Sequence, residues 1–286
     1  MVKEFLKKRT VDDIWSSFDR DVSGPKHLMF GVKEIDQALN GGLLLGKVCE
    51  IYGPSGSGKT QFALSLTSEV LINNLIHSKD YVVLYIYTNG TFPIERLNEI
   101  LRSKYEDAKG LIKADENFNT SQLLKNLYVE KVTDNDELYF TFTSKLEEML
   151  QHNVKLIVID SIAALFRTVQ NESYHGQRIN SITKVGLIMK RISHEYNLLI
   201  LAINQASGVF NLSNIPFLNP RSGIKPALGE AWERCINSRI LVTRRRDQRF
   251  NREIRHFQVI FSSNSPSTYP IPFITTKRGI EYNLLL

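Results

Sequence analysis

Gly53-Pro54-Ser55-Gly56-Ser57-Gly58-Lys59-Thr60 matches the phosphate-loop pattern G-x-x-x-x-G-K-[ST] in full. Glycines at these positions let backbone N–H groups turn inward around a phosphate. A helix starting at Lys59 would add the partial positive charge of its N-terminus. Lys59 supplies a point charge for the β- and γ-phosphates, and Thr60 a hydroxyl for Mg²⁺. The flanks agree. Lys47–Tyr52 is an apolar run that reads as a strand entering the loop, and Lys59–Leu75 places Phe62, Leu64, Leu66, Val70 and Leu71 at helical spacing. The stretch therefore predicts an ATP-Mg²⁺ site built from Gly53, Pro54, Ser55, Gly56, Ser57, Gly58, Lys59, Thr60 and Gln61. The bland alternative is a glycine turn that happens to carry Lys-Thr.

A phosphate loop of this kind needs a second acid on the magnesium side, at the end of a buried strand. Lys155-Leu156-Ile157-Val158-Ile159-Asp160-Ser161 provides it, because Asp160 follows four apolar residues and would emerge at the carboxyl edge of a sheet. The alternative is an Asp that caps a helix beginning near Ser161. Further apolar runs predict strands at Tyr81–Tyr87, Asn126–Val132 and Leu198–Asn204, and helices at Pro93–Tyr105, Asp134–Leu150 and Arg178–Tyr196. Strands alternating with helices imply an α/β core with a mostly parallel sheet covered by helices on both faces. The tail differs, and Arg239–Thr243, Arg255–Ser262 and Pro272–Thr275 read as antiparallel additions. Arg167–Gln177 and Ala206–Pro226 carry no clear period and read as mobile, functional loops. Residues 1–27 are polar, with a short helical pattern at Val11–Phe18, and read as an extension ahead of a core spanning 28–286.

The 286 residues are 42% hydrophobic and 23% charged, an ordinary globular composition that suits one large α/β domain. No apolar run is long enough to span a bilayer, and no secretory leader is expected. The cysteines Cys49 and Cys235 form no metal pattern and read as buried apolar filler in a reducing compartment. The net charge of +6 fits a nucleic-acid or polyphosphate partner. Much of it lies in one segment, where Arg244, Arg245, Arg246, Arg249, Arg252 and Arg255 face only Asp247 and Glu253. This reads as a hairpin with a basic tip. Its partner is either DNA phosphates or, equally well, an acidic subunit or bare solvent.

The motifs, in this order, resemble the RecA-type strand-exchange recombinases of eukaryotes and archaea. Phe30-Gly31-Val32-Lys33-Glu34-Ile35-Asp36 with Leu39-Asn40-Gly41-Gly42 is similar to that family's core start. Leu84-Tyr85-Ile86-Tyr87-Thr88-Asn89-Gly90-Thr91-Phe92, then Glu95-Arg96-Leu97, is similar to its second strand and following helix. Ile159-Asp160-Ser161-Ile162-Ala163-Ala164-Leu165-Phe166-Arg167, Ala202-Ile203-Asn204-Gln205, and Lys225-Pro226-Ala227-Leu228-Gly229 with Trp232 complete the likeness. The Ala-Leu-Gly-x-x-Trp pattern leans toward the recombination paralogues, the subgroup of the third X-ray repair cross-complementing member and its fungal counterparts.

The resemblance implies a RecA-like core, nuclear localisation and a role in homologous-recombination repair. It implies Arg96 stacking on adenine, where the alternative is a helix-surface salt bridge. It implies Gln205 sensing the γ-phosphate beside Lys59 in the catalytic set, where the alternative is a strand-end hydrogen bond. It makes the two loops DNA-facing and so puts Arg167, Arg178, Arg221 and Lys225, together with Arg244, Arg245 and Arg246, on single-stranded DNA. Two departures modify this. Family members that hydrolyse ATP carry a glutamate in a Thr-Glu-Gly context; here Thr88-Asn89-Gly90 substitutes an amide that cannot accept a proton. The same dipeptide also suits a plain turn. ATP binding with weak hydrolysis follows, and Glu95 is not expected to compensate. The segment ahead of the core is also too short for the helical DNA-binding domain of active recombinases, which predicts pairing with a paralogous RecA-fold subunit and support of a recombinase filament. An autonomous DNA-dependent ATPase, or a RecA-fold regulator or kinase that does not act on DNA, are the alternatives.

Overall fold

The computed structural model describes residues 26–109, 119–166, 175–207, 224–247 and 252–282. In chain order the elements are β1 (His27–Leu28), α1 (Lys33–Ala38), β2 (Leu43–Leu44), β3 (Val48–Gly53), α2 (Lys59–His77), β4 (Val82–Tyr87), α3 (Ile94–Ala108), α4 (Ser121–Leu124) and β5 (Leu127–Lys131). There follow α5 (Asn135–Phe140), a π turn (Thr141–Lys145), α6 (Leu146–Leu150), β6 (Val154–Asp160), a 3₁₀ turn (Ile162–Phe166), α7 (His175–Glu195), β7 (Leu199–Ser207) and β8 (Lys225–Pro226). The last are α8 (Gly229–Glu233), β9 (Ser238–Asp247), β10 (Arg252–Ser262), β11 (Ile271–Thr276) and β12 (Gly279–Tyr282).

One ten-stranded sheet runs β12-β11-β10-β9-β3-β7-β6-β4-β5, with β8 paired onto β7. Its centre is parallel: β9, β3, β7, β6, β4 and β5 all run the same way. This corrects the expectation for Arg239–Thr243. That segment pairs parallel with β3, so Ile51 faces Ile240, and the antiparallel part begins only at β10. The run is buried on both faces, as parallel core strands are. This is a RecA-like α/β fold.

Alternation sends the side chains of each strand to two separate cores. Val83 and Tyr85 of β4 join a cluster with Phe62 and Leu66 of α2 and Leu97 and Leu101 of α3. Leu84 and Ile86 join the opposite cluster, with Leu138 of α5, Met189 of α7 and Trp232 of α8. α2 is buried well beyond an apolar stripe. Ser65, Thr67 and Ser68 are also buried, because β12 and α3 cover its outer side, and Ile280 N–H donates to Ser65 Oγ at 3.0 Å. The single helix expected over Asp134–Leu150 is interrupted. Asp134 caps its start, its carboxylate accepting from Asp136 N and Glu137 N, but Thr141–Lys145 widens into the π turn. There the Thr143 hydroxyl donates to Tyr139 O at 2.9 Å, a bond that competes with the regular ladder.

β10 also buries a histidine. His256 lies between Thr243 and Pro272, and burial, then the charge of Arg245, push its pKa down from 6.5 to about 4. The folded chain therefore favours neutral His256, whereas the unfolded chain binds a proton near 6.5. Stability from this group is present above about 6.5 and lost as pH falls toward about 4, amounting to at most about 3 kcal/mol. Denaturant unfolding at a series of pH values should show this acid limb flatten in His256→Gln. An unchanged limb would assign the loss to other groups.

Candidate nucleotide-binding site

The carboxyl ends of β3, β4, β6 and β7 open onto a cleft of about 1200 Å³. Among its lining residues are Ser55, Gly56, Gly58, Lys59, Thr60 and Gln61. The glycines are required by contact and conformation. A Cβ on Gly53 would lie 1.9 Å from the carbonyl oxygen of Val242 in β9, and Gly58 begins α2 with φ +110°. Lys59 Nζ donates to the carbonyls of Gly53 at 2.9 Å and Pro54 at 2.7 Å. Burial lowers its pKa, and the charge of Asp160 works the other way. Thr60 Oγ1 donates to Asp160 Oδ2 at 2.7 Å, and Tyr85 donates to the same oxygen at 3.1 Å. Burial raises the Asp160 pKa, opposed by the hydrogen bonds from Thr60 and Tyr85 and by the charge of Lys59.

These residues fit a nucleotide with its magnesium ion. The lining supplies a phosphate-site donor set, with the Lys59 ammonium and the Thr60 hydroxyl in the cleft beside glycines of the loop. Thr60 and Asp160 are two oxygen ligands side by side. Among the described residues no group of three or more His, Cys, Asp or Glu could hold a metal by itself. Mg²⁺ would thus depend on the phosphates and water for the rest of its shell, its usual habit.

The other expected residues fall as follows. Arg96 lines the cleft, with Nε donating to Gln61 Oε1 at 2.9 Å and the remaining nitrogens held by Glu99 and Thr276 O. Gln205 also lines it; its register partner in β3 is Gly53, its N–H donates to Asn204 Oδ1, and its carbonyl accepts from Ala227 N. Asn89 is exposed at a bend beside Gly90 and faces the cleft. Glu95 is not among the cleft residues, whereas Glu99, which the sequence reading did not single out, is. Arg178 Nε donates to Phe166 O at 3.2 Å, and Lys225 is exposed on β8. Arg167, Arg221 and Val11–Phe18 lie outside the described residues, as do most of the two loops. Arg244 sits by the phosphate loop: a Cβ on Gly56 would lie 3.4 Å from its guanidinium, which is ion-paired with Glu253 at 3.4 Å. Arg245 and Arg246 continue β9 opposite Ile254 and Glu253.

Behind the cleft lies a charged cluster with no obvious sequence signal. Glu50 in β3 is fully buried. Its Oε1 accepts from Asn204 Nδ2 at 2.6 Å and Trp232 Nε1 at 2.7 Å, and its Oε2 meets Arg239 of β9. Burial pushes the Glu50 carboxyl up, opposed by the Arg239 charge and the three hydrogen bonds. Asn204 Nδ2 also donates to Ala227 O at 2.8 Å, tying the strand before Gln205 to the turn after β8.

No helix among the described residues is long and apolar enough to cross a membrane. The chain matches the family model described as Rad51 over residues 26–280. It is 26% identical over 240 residues to the mouse DNA repair protein RAD51 homolog 2, covering 76% of this chain and 66% of that one. It is 26% identical over 287 residues to the Arabidopsis thaliana DNA repair protein XRCC3 homolog, covering 89% and 92%. With DNA repair protein rhp57 of Schizosaccharomyces pombe it shares 25% identity over 273 residues, covering 84% and 75%. It spans just under two thirds of the mouse and human RAD51 homolog 2 proteins. The matched region takes in the whole nucleotide cleft and nearly all of the sheet around it, so the chain belongs to the Rad51 family and resembles its repair paralogues.

Proposed function

We propose that this chain is a nucleotide-binding mediator of homologous-recombination DNA repair in the nucleus. It holds ATP with Mg²⁺, contacts single-stranded DNA, pairs with a paralogous RecA-fold subunit and supports a recombinase filament. The observation that carries this reading is a phosphate-holding set combined with an amide at the hydrolytic position. Lys59, Thr60 and Asp160 line the cleft together, and Asn89, which also lines it, stands where the resemblance to ATP-hydrolysing members puts a glutamate that would take the proton of the attacking water. Relatives named as DNA repair proteins support the biological setting. The basic balance of the chain supports a polyanionic partner.

The test is direct ATP-Mg²⁺ binding alongside steady-state hydrolysis, with and without single-stranded DNA. Binding with almost no turnover is expected. Asn89→Glu should raise turnover by about tenfold or more, part of the roughly 10²–10⁴-fold that a general base contributes. Brisk DNA-stimulated hydrolysis by the unaltered chain would instead make it an autonomous enzyme.

A further inference from the structure

Arg255 belongs to the basic hairpin by sequence, but its side chain lies at the nucleotide cleft. It lies on β10 with Arg244 of β9 as its direct cross-strand partner and Phe273 of β11 on the other side. Side chains alternate along each strand, so Arg255 shares a face with Phe257 and Arg244 shares one with Val242. That face packs on Phe62 of α2: Phe257 stacks on the Phe62 ring with centroids 5.4 Å apart, and Phe273 meets it edge-on at 4.9 Å. The apolar face therefore turns cationic where it reaches the start of α2.

Among the described residues the charges there do not balance. Arg255 Nη2 donates to Glu253 Oε2 at 3.2 Å, and the other Glu253 oxygen pairs with Arg244. One carboxylate thus serves two guanidiniums that stand directly opposite each other, an arrangement that costs stability without a further anion. Lys59 and the α2 N-terminus add positive charge close by, since a Cβ on Gly58 would be 3.7 Å from Arg255 Cδ. Arg255 also lines the nucleotide cleft, and its Nε is buried with no hydrogen-bond partner. A buried guanidinium nitrogen left unpaired beside an excess of positive charge is a donor set for an anion.

We propose that Arg255 is a nucleotide-binding residue whose Nε donates to a phosphate oxygen, with Glu253 holding its guanidinium beside the phosphate loop. The proposal rests on the reading of the cleft as an ATP site. Its geometry assigns the β10 arm of the arginine hairpin to the nucleotide, leaving DNA contact to residues farther along.

Binding of ATP-Mg²⁺ and of adenosine to the full chain tests it by calorimetry, with thermal unfolding of the ligand-free protein alongside. Arg255→Gln should weaken ATP binding by about tenfold or more, the usual effect of losing a hydrogen bond to a charged group. Adenosine binding should stay the same. Arg255→Lys, which keeps the charge and loses the fork, should fall between the two. Without ligand, both variants should melt at or above the unaltered chain's midpoint, because a crowded positive charge is removed or rearranged. ATP affinity unchanged in Arg255→Gln, or an equal loss for adenosine, would overturn the proposal. So would a lowered ligand-free midpoint in both variants, which would make Arg255 a structural residue. If the unaltered chain binds no ATP, the failure belongs to the nucleotide reading itself.

Discussion

Lys59→Ala weakens ATP-Mg²⁺ binding by about 10- to 100-fold and leaves the melting midpoint of the ligand-free protein where it was; this is the expected result, and calorimetry with thermal unfolding reads both parts. A hydrogen bond from an ammonium to phosphate is worth about 1.5–3 kcal/mol, and each 1.4 kcal/mol is tenfold. The midpoint holds because, without ligand, Lys59 Nζ is occupied only by the carbonyls of Gly53 and Pro54, and both border the open cleft. Water replaces the ammonium there at little cost, and removing a partly desolvated cation offsets the loss. Lys59→Arg should behave much as the alanine variant does. A branched planar fork cannot occupy the narrow space between the loop carbonyls and a phosphate. ATP affinity unchanged in Lys59→Ala would move the nucleotide out of this cleft.

The largest loss of stability is expected from Glu50. Glu50→Gln keeps the shape of the side chain and one acceptor oxygen, so Asn204 and Trp232 can stay bonded. Arg239, however, is left buried with its charge unanswered, except by the half-exposed Glu233 at 3.2 Å. Breaking a buried pair from one side costs about 3–5 kcal/mol. Arg239 also lies over the rings of Tyr52 and Phe261, with its carbon 5.8 Å and 5.3 Å from their centroids, so it cannot swing out to water without vacating that space. Chemical unfolding of Glu50→Gln, Arg239→Met and the double variant separates the terms. Arg239→Met should be as costly as Glu50→Gln, and Glu50→Leu combined with Arg239→Met should recover much of the loss. A loss below about 1 kcal/mol for Glu50→Gln would mean that the pair is not tightly coupled.

The sequence displays the phosphate loop openly because its chemistry needs particular residues at fixed spacing within eight positions. Asp160 was equally legible, since a run of apolar residues must end at the sheet's edge and Asp stands there. Strand pairing is another matter. Nothing local in Ser238–Asp247 says that its partner is β3, far earlier in the chain, so a parallel core strand was read as a peripheral one. Glu50 was unreadable for a similar reason: a glutamate inside an apolar strand looks like a surface position until Asn204, Trp232 and Arg239 are brought to it. The arginine segment is legible only in part: charge count picks out the basic hairpin, whose tip at 248–251 lies outside the described residues, but does not reveal that Arg244 and Arg255 come close to the phosphate loop.

The position of β3 bears on how the molecule comes into being. Its two flanking partners, β7 and β9, are synthesised long after it, and the bonds from Asn204 and Arg239 to Glu50 close over 154 and 189 residues. On the ribosome the phosphate loop therefore emerges on a strand with both edges bare and an apolar face uncovered. Contacts of such long range form slowly, and until they do the segment is prone to pair with whatever strand is nearest. The arrangement that gives the mature cleft its floor also means that the cleft is complete only when nearly the whole core has been made.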